Sequence, residues 1–213
     1  MHAFVIAGGD APSPAELTVV DRSPDLVVAA DSGVAHAHAL GLTPTAVVGD
    51  FDSAEPAHVE RAAAAGARID RHPADKDMTD LELALHTAVG LGARSVTVLG
   101  AGGGRLDHLL ANLLLVTHDS FAGLALDAVA GDAFVTVVRG PRTLHGPPGG
   151  IVTLLPVGGP ARGVTTTGLQ WALTDDELVP ASTRGVSNVI VTVPATVTVS
   201  TGVVLAVEPL ETL

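Results

Sequence analysis

Seven aspartates in this chain stand at or just beyond the ends of short apolar runs, or crowd the start of a helix. Asp31 follows Leu-Val-Val-Ala-Ala, and Asp50 and Asp52 follow Ala-Val-Val-Gly in the string Gly49-Asp50-Phe51-Asp52-Ser53. Asp75, Asp77 and Asp80 share Asp75-Lys76-Asp77-Met78-Thr79-Asp80, and Asp107 lies in Gly102-Gly103-Gly104-Arg105-Leu106-Asp107-His108. Carboxylates gathered together repel and raise one another's pKa unless a cation intervenes. A hard divalent ion resolves the conflict, and Mg²⁺ in particular combines one or two carboxylates with substrate phosphates. Asp50 and Asp52, at i and i+2, are expected to face one side of a locally extended segment, with Phe51 turned into the core. Any one of these segments alone reads as a solvated turn or, for Thr79-Asp80, as a helix start with a dipole-compensating acid. Four of them on one edge of a sheet point to metal chemistry instead.

Cations accompany the acids. Arg105 can fork onto phosphate oxygens or pair with Asp107. Lys76 is the only lysine in the chain; it reads either as a phosphate-binding cation or as a charge screened by its neighbours. The glycines at 102–104 precede a helical pattern, where backbone N–H groups can approach phosphate, although no Gly-Lys-Ser/Thr follows to make a Walker A loop. Together these parts describe a metal-assisted site for a polyphosphate, the equipment of phosphoryl or pyrophosphoryl transfer. The nine histidines show no comparable spacing; His36 and His38, two apart on a predicted helix, diverge.

The elements that must carry these residues alternate in the first half. Strands are expected at 3–7, 26–30, 45–48, 67–70 and 95–99, and helices at 34–40, 56–65, 79–89 and 106–117. Gly66 is a plausible C-cap for the second helix and Thr79 an N-cap for the third. Alternation of this kind gives a mainly parallel sheet flanked by helices, whose ligands bind beyond the carboxyl ends of the strands. After about residue 121 helical periodicity stops. Short β-branched runs at 133–138, 151–155, 189–193, 196–200 and 203–207, separated by Gly and Pro, predict an antiparallel sandwich or barrel.

Composition sets outer bounds. The chain has 213 residues, 47% of them apolar, which suffices for one large domain or two small ones. Its 23 acidic and 11 basic residues leave a net charge of −12, the wrong sign for gripping nucleic acid or anionic lipid. Cysteine is absent, which excludes disulfides, thiolate metal sites and cysteine nucleophiles. No apolar run reaches the ~18 residues of a membrane span, and the N-terminus lacks a signal peptide's basic region. A cytoplasmic protein with no nucleic-acid or membrane partner is expected.

The acidic strings, taken in order, resemble the thiamine pyrophosphokinase family. The residues that carry this are Ala30-Asp31-Ser32-Gly33, Gly49-Asp50-Phe51-Asp52-Ser53, Lys76-Asp77-Met78-Thr79-Asp80 with Leu81-Glu82-Leu83-Ala84-Leu85, and Gly104-Arg105-Leu106-Asp107-His108 with Asn112. Thr165-Thr166-Thr167-Gly168-Leu169-Gln170-Trp171 and Arg184-Gly185-Val186-Ser187-Asn188 continue the series, so the resemblance covers nearly the whole chain. It implies an α/β catalytic domain over 1–125 and an all-β sandwich over 126–213 that contributes thiamine and dimer contacts. It further implies a homodimer with thiamine near the subunit interface, and the reaction of Mg²⁺–ATP with thiamine to give AMP and thiamine diphosphate. Carried over by residue, Asp50, Asp52 and Asp80 would hold the metal and its phosphates. Asp31, Thr79, Arg105 and Asp107 would complete the catalytic pocket. Lys76, Arg105, His108 and Asn112 would bind the nucleotide, and Trp171, Ser187 and Asn188 would contact thiamine.

The chemistry of the last group is consistent with that. Thiamine joins an aminopyrimidine to a cationic thiazolium; an indole face suits a cation or a flat ring, and a hydroxyl and an amide suit ring nitrogens. On composition alone, Trp171 reads equally as core and Ser187-Asn188 as a turn. The family's usual Asp-Gly-Gly is here Asp31-Ser32-Gly33, which puts a more restricted residue beside a candidate ligand. The proton acceptor is open between Asp80 and Asp107. Two rival functions share these features: a pyrophosphokinase for another alcohol, such as a hydroxymethyl pterin, and a non-catalytic nucleotide or thiamine sensor.

Overall fold

A computed structural model describes residues 1–20, 22–103 and 105–213. Gly104 of the glycine-rich string lies outside the described residues. The chain divides into two compact units: residues 1–115 with 123–131, and residues 116–122 with 132–213.

The first unit is α/β. In chain order it contains β1 (His2–Ile6), α1 (Pro14–Val19), β2 (Leu26–Ala30), α2 (Gly33–Ala39), β3 (Ala46–Gly49), α3 (Pro56–Ala64), β4 (Arg68–Arg71), α4 (Asp80–Gly90), β5 (Ser95–Leu99), α5 (Leu106–Leu115) and β6 (Ala125–Ala130). The six strands lie in the order β4-β3-β2-β1-β5-β6, and every pairing is parallel. Strands buried on both faces read as near-continuous apolar runs; all five residues of β1 are buried, and every one after His2 is apolar. α2 packs on β1 and β2, and α4 packs on β1, β2 and β3. The order reverses between β1 and β5, and ligands of such open sheets bind outside the carboxyl ends of the strands at this switch point.

Local chemistry explains the helix boundaries. Thr79 caps α4 by accepting a hydrogen bond from the Glu82 N–H at 3.2 Å, a capping-box spacing. At the end of α3, Gly66 has φ +94° and the N–H of Ala67 reaches the Ala62 carbonyl at 3.0 Å, a turn that suits glycine. The strand and helix expectations place these elements to within a few residues. α1 and β6 lie outside them. Ser13-Pro14 followed by Glu16 is the same capping signature in a segment too short for periodicity: Ser13 accepts from the Glu16 N–H, and proline opens the helix.

The second unit is all-β and antiparallel. It contains β7 (Ala133–Val138), β8 (Arg142–Thr143), β9 (Ile151–Thr167), β10 (Asp176–Leu178), β11 (Asn188–Val189), β12 (Thr196–Thr198) and β13 (Thr201–Pro209). The order is β7-β13-β9-β12-β8, with β10 and β11 also pairing with β9. β9 has 17 residues where a five-residue run is expected. The glycines and two prolines of 156–163 bend the strand rather than ending it: Gly158 and Gly163 take positive φ, and the register against β13 shifts between Thr201 and Val203. Around it Val152, Leu154, Val164, Leu178, Ile190 and Val204 form the core. Glu208 is wholly buried there, its carboxylate accepting from the backbone N–H groups of His145 and Gly146 at 3.0 and 2.8 Å. No helix among the described residues is long and apolar enough to cross a membrane.

Candidate active site

Because β1 to β5 run parallel, their carboxyl ends share one edge of the sheet. The segments after them wall a cleft of about 510 Å³. Residues 7–10 follow β1, Asp31 and Ser32 follow β2, Ser53 follows β3, Thr79 and Asp80 open α4, and residues 100–103 follow β5; α5 adds Arg105, His108 and Asn112. The loops after β1 and β5 are laced together by Gly9 N–H to the Gly100 carbonyl (3.0 Å) and Asp10 N–H to the Gly102 carbonyl (2.9 Å). A Cβ on Gly9 would lie 1.8 Å from the Gly102 oxygen, so only glycine permits this approach. Asn112 braces the same loop by donating to the Ala101 carbonyl at 2.9 Å.

Asp31, Asp50 and Asp52 converge: one carboxylate oxygen from each lies within 4.8 Å of the others. Asp31 is only 7% exposed. Its Oδ2 accepts from the Ser53 hydroxyl, while its Oδ1 is buried with no hydrogen-bond partner among the described residues. A buried acceptor left without a donor is costly, and an all-oxygen donor set suits a hard divalent cation. The residues therefore fit Mg²⁺.

The Asp50 and Asp52 carboxylates do not meet by the extended geometry the spacing suggests. Phe51 between them has φ +64°, and the Asp52 N–H turns back onto Asp50 Oδ1 at 3.1 Å, an Asx-type turn. Phe51 does reach the core, packing against Ala29, Val34, Val47, Ala54 and Ala62.

Asp80 joins this group through a cation. The Lys76 ammonium lies 3.0 Å from both Asp50 Oδ2 and Asp80 Oδ1. Burial works against the Lys76 charge, but its hydrogen bonds to the two carboxylates outweigh this and raise its pKa. The Lys76 hydrogen bond, aided by the Asp52 N–H, holds the Asp50 carboxyl below its ordinary value. Burial instead pushes Asp80 up, against the pull of Lys76.

Arg105 lines the cleft, but Asp107 does not. Their side chains pair at 2.6 Å in an exposed position, and the guanidinium holds Asp107 down to about 2. Ser32 sits at φ −62° and ψ −14°, ordinary helical values, so serine carries no backbone strain in place of the usual glycine.

In the second unit, Trp171 and Asn188 line a pocket of about 230 Å³ with Leu173, Arg184 and Val186. Trp171 is 57% exposed, so it is not a core residue. The buried Asn188 amide is spent on the backbone beneath it: Oδ1 accepts from the Trp171 N–H (3.1 Å), and Nδ2 donates to the Trp171 carbonyl (2.8 Å). Ser187 does not line this pocket; it is exposed, with φ +56°, and its N–H donates to Thr153.

Two parts of the first site escaped sequence reasoning. The Gly8-Gly9-Asp10 turn after β1 carries the same signal as the other acidic loops, an acid just past an apolar run. Arg71, described below, carries none, because its partners are a backbone carbonyl and a ring.

Comparisons with known proteins bear on both units. A family model described as thiamin pyrophosphokinase, catalytic domain, matches residues 19–126, and one described as thiamin pyrophosphokinase, vitamin B1 binding domain, matches residues 142–204. Thiamine pyrophosphokinase 1 of Oryza sativa subsp. japonica is 28% identical over 81% of this chain and 67% of its own length. Thiamine pyrophosphokinase of Bacillus subtilis is 32% identical over 53% of this chain, which spans about half, 52%, of that relative. The crystal structure of thiamin pyrophosphokinase from Geobacillus thermodenitrificans superposes with a TM-score of 0.79 at 29% identity, covering 98% of this chain and 97% of that one.

Proposed function

Since the chain belongs to the thiamin pyrophosphokinase family, we propose that it transfers the pyrophosphoryl group of ATP to the hydroxyl of thiamine, giving thiamine diphosphate and AMP. The observation that carries this is the convergence of Asp31, Asp50 and Asp52 at the carboxyl edge of the sheet, with Asp31 Oδ1 buried and without a hydrogen-bond partner among the described residues. Residues 1–125 would hold nucleotide and metal, and residues 126–213 would supply the thiamine contacts.

In this reading Asp50 and Asp52 hold a divalent ion, Mg²⁺, with Asp31 as the third carboxylate and Asp80 as the fourth, tied to Asp50 by Lys76. When bound, the ion neutralises phosphate charge and polarises the bond that breaks. Arg105 and Lys76 supply the remaining positive charge for the phosphates, with Arg105, His108 and Asn112 lining the cleft. The thiamine oxygen forms a bond to the β-phosphorus, and the bond from that phosphorus to the α-phosphate oxygen breaks, releasing AMP. The hydroxyl proton passes to a carboxylate facing the cleft; of the two candidates, Asp80 lines it and Asp107 does not. Thr79 contributes by fixing the start of α4, and so the position of Asp80. Trp171 offers its exposed indole face to the thiamine rings, with Asn188 lining the same pocket and Ser187 next to it in the chain but outside the lining.

A homodimer and a cytoplasmic location complete the proposal. Leu106, Leu110 and Leu114 lie exposed at four-residue intervals on α5, a stripe that a second copy would cover. Incubation with Mg²⁺, ATP and thiamine, followed by separation of the nucleotides, tests the reaction. AMP formed one-for-one with thiamine diphosphate is expected. ADP would mean a simple kinase, and turnover with a hydroxymethyl pterin in place of thiamine would mean another acceptor.

A further inference from the structure

We propose that Arg71 is a positioning residue for the Asp50 and Asp52 carboxylates, although it touches neither side chain. The inference rests on the reading above that these carboxylates hold a divalent ion.

Phe51 stands in the left-handed region, which bulky side chains avoid. That conformation folds Asp52 back toward Asp50, so the shape of the carboxylate pair depends on holding one unfavourable backbone angle. Arg71 grips this residue from two sides. Its Nη1 donates to the Asp50 carbonyl at 3.0 Å, on the peptide that joins Asp50 to Phe51. Its guanidinium carbon lies 4.7 Å from the centroid of the Phe51 ring. Arg71 is delivered there by the sheet: as the last residue of β4 it registers against Gly49, the last of β3, and the N–H of His72 then donates to the Gly49 carbonyl at 2.9 Å. A planar cation is suited to both contacts, since its edge donates and its face stacks; a lysine ammonium cannot do both.

The test measures Mn²⁺ binding by electron paramagnetic resonance, without turnover. Arg71→Met should weaken Mn²⁺ about tenfold, as the loss of an outer partner of metal ligands does, with the circular dichroism spectrum unchanged. Arg71→Lys keeps the charge but not the fork and should recover less than half of the loss. In a Phe51→Gly background the ring and the backbone penalty are both gone, so Arg71→Met should add less than about twofold. Wild-type affinity in Arg71→Met or in Arg71→Lys would overturn the proposal, as would an undiminished tenfold loss in the Phe51→Gly background, because Arg71 would then act independently of the Phe51 conformation. Wild-type protein that binds no Mn²⁺ would instead refute the metal reading itself, and this inference with it.

Discussion

Asp31 and Asn188 are both buried polar side chains, one in each unit, and their surroundings treat them in opposite ways. Asp31 faces Asp50 and Asp52 and keeps an oxygen with no donor among the described residues, so the first site has acceptors waiting for a cation. Asn188 has its oxygen and its nitrogen both engaged by the Trp171 backbone, so the second pocket presents a fixed ring rather than a waiting amide. A site that binds charge holds its polar atoms unsatisfied, at a cost to stability that the ligand offsets. A site that binds a flat cation by stacking needs its polar atoms satisfied, so that the ring stays in place.

The contrast can be broken most sharply at the metal. Asp52→Asn should lower kcat/KM roughly 100-fold or more, while the quenching of Trp171 fluorescence by thiamine survives. Unchanged turnover would remove Asp52 from the machinery. Trp171→Ala should do the reverse, raising the KM for thiamine about tenfold with Mn²⁺ affinity intact; a loss of Mn²⁺ binding there would erase the division between the two regions. Asn188→Ala sharpens the second half. It frees the Trp171 backbone groups and should cost about 1–3 kcal/mol in urea unfolding, with a several-fold weaker thiamine response. Full stability with lost thiamine binding would make Asn188 a direct ligand contact.

The smallest effect is on pH dependence in the first unit. Burial lowers the His38 pKa below 6.5, with Arg61 and His58 adding to it. The His38 ring meets His58, Nδ1 to Nδ1 at 3.0 Å. The unfolded chain therefore takes up this proton first, and the stabilisation is present above the unfolded value and lost as pH falls through the folded one. The buried His2, lowered in the same direction, adds to the trend. Thermal midpoints should fall from about pH 7 to pH 5, and His38→Gln should flatten part of that slope. An unaltered slope would assign it elsewhere.

These comparisons also mark what a reader of the sequence alone can see. The acidic loops are legible because parallel strands put all their carboxyl ends on one edge, a consequence of topology that the alternating pattern carries. Thr79 is legible as a cap because its partner, Glu82, is three residues away. The turn at Phe51 is not, since nothing in Asp-Phe-Asp signals a left-handed aromatic. Arg71 is invisible because it acts across 21 residues on a carbonyl that every residue possesses. Asn188 reads from its type as a ligand for ring nitrogens, yet its amide is engaged by backbone groups of Trp171, 17 residues away. β9 runs through glycine and proline that locally read as an end, because pairing with β10, β12 and β13 holds it together.

Asp31 Oδ1, buried with no hydrogen-bond partner among the described residues, marks where a cation belongs. Calorimetric titration of Asp31→Asn with Mn²⁺ and a non-hydrolysable ATP analogue, followed by thiamine, addresses it directly. The account predicts that the heat of Mn²⁺–nucleotide binding disappears while the heat of thiamine binding remains. Wild-type Mn²⁺–nucleotide binding by Asp31→Asn would contradict it.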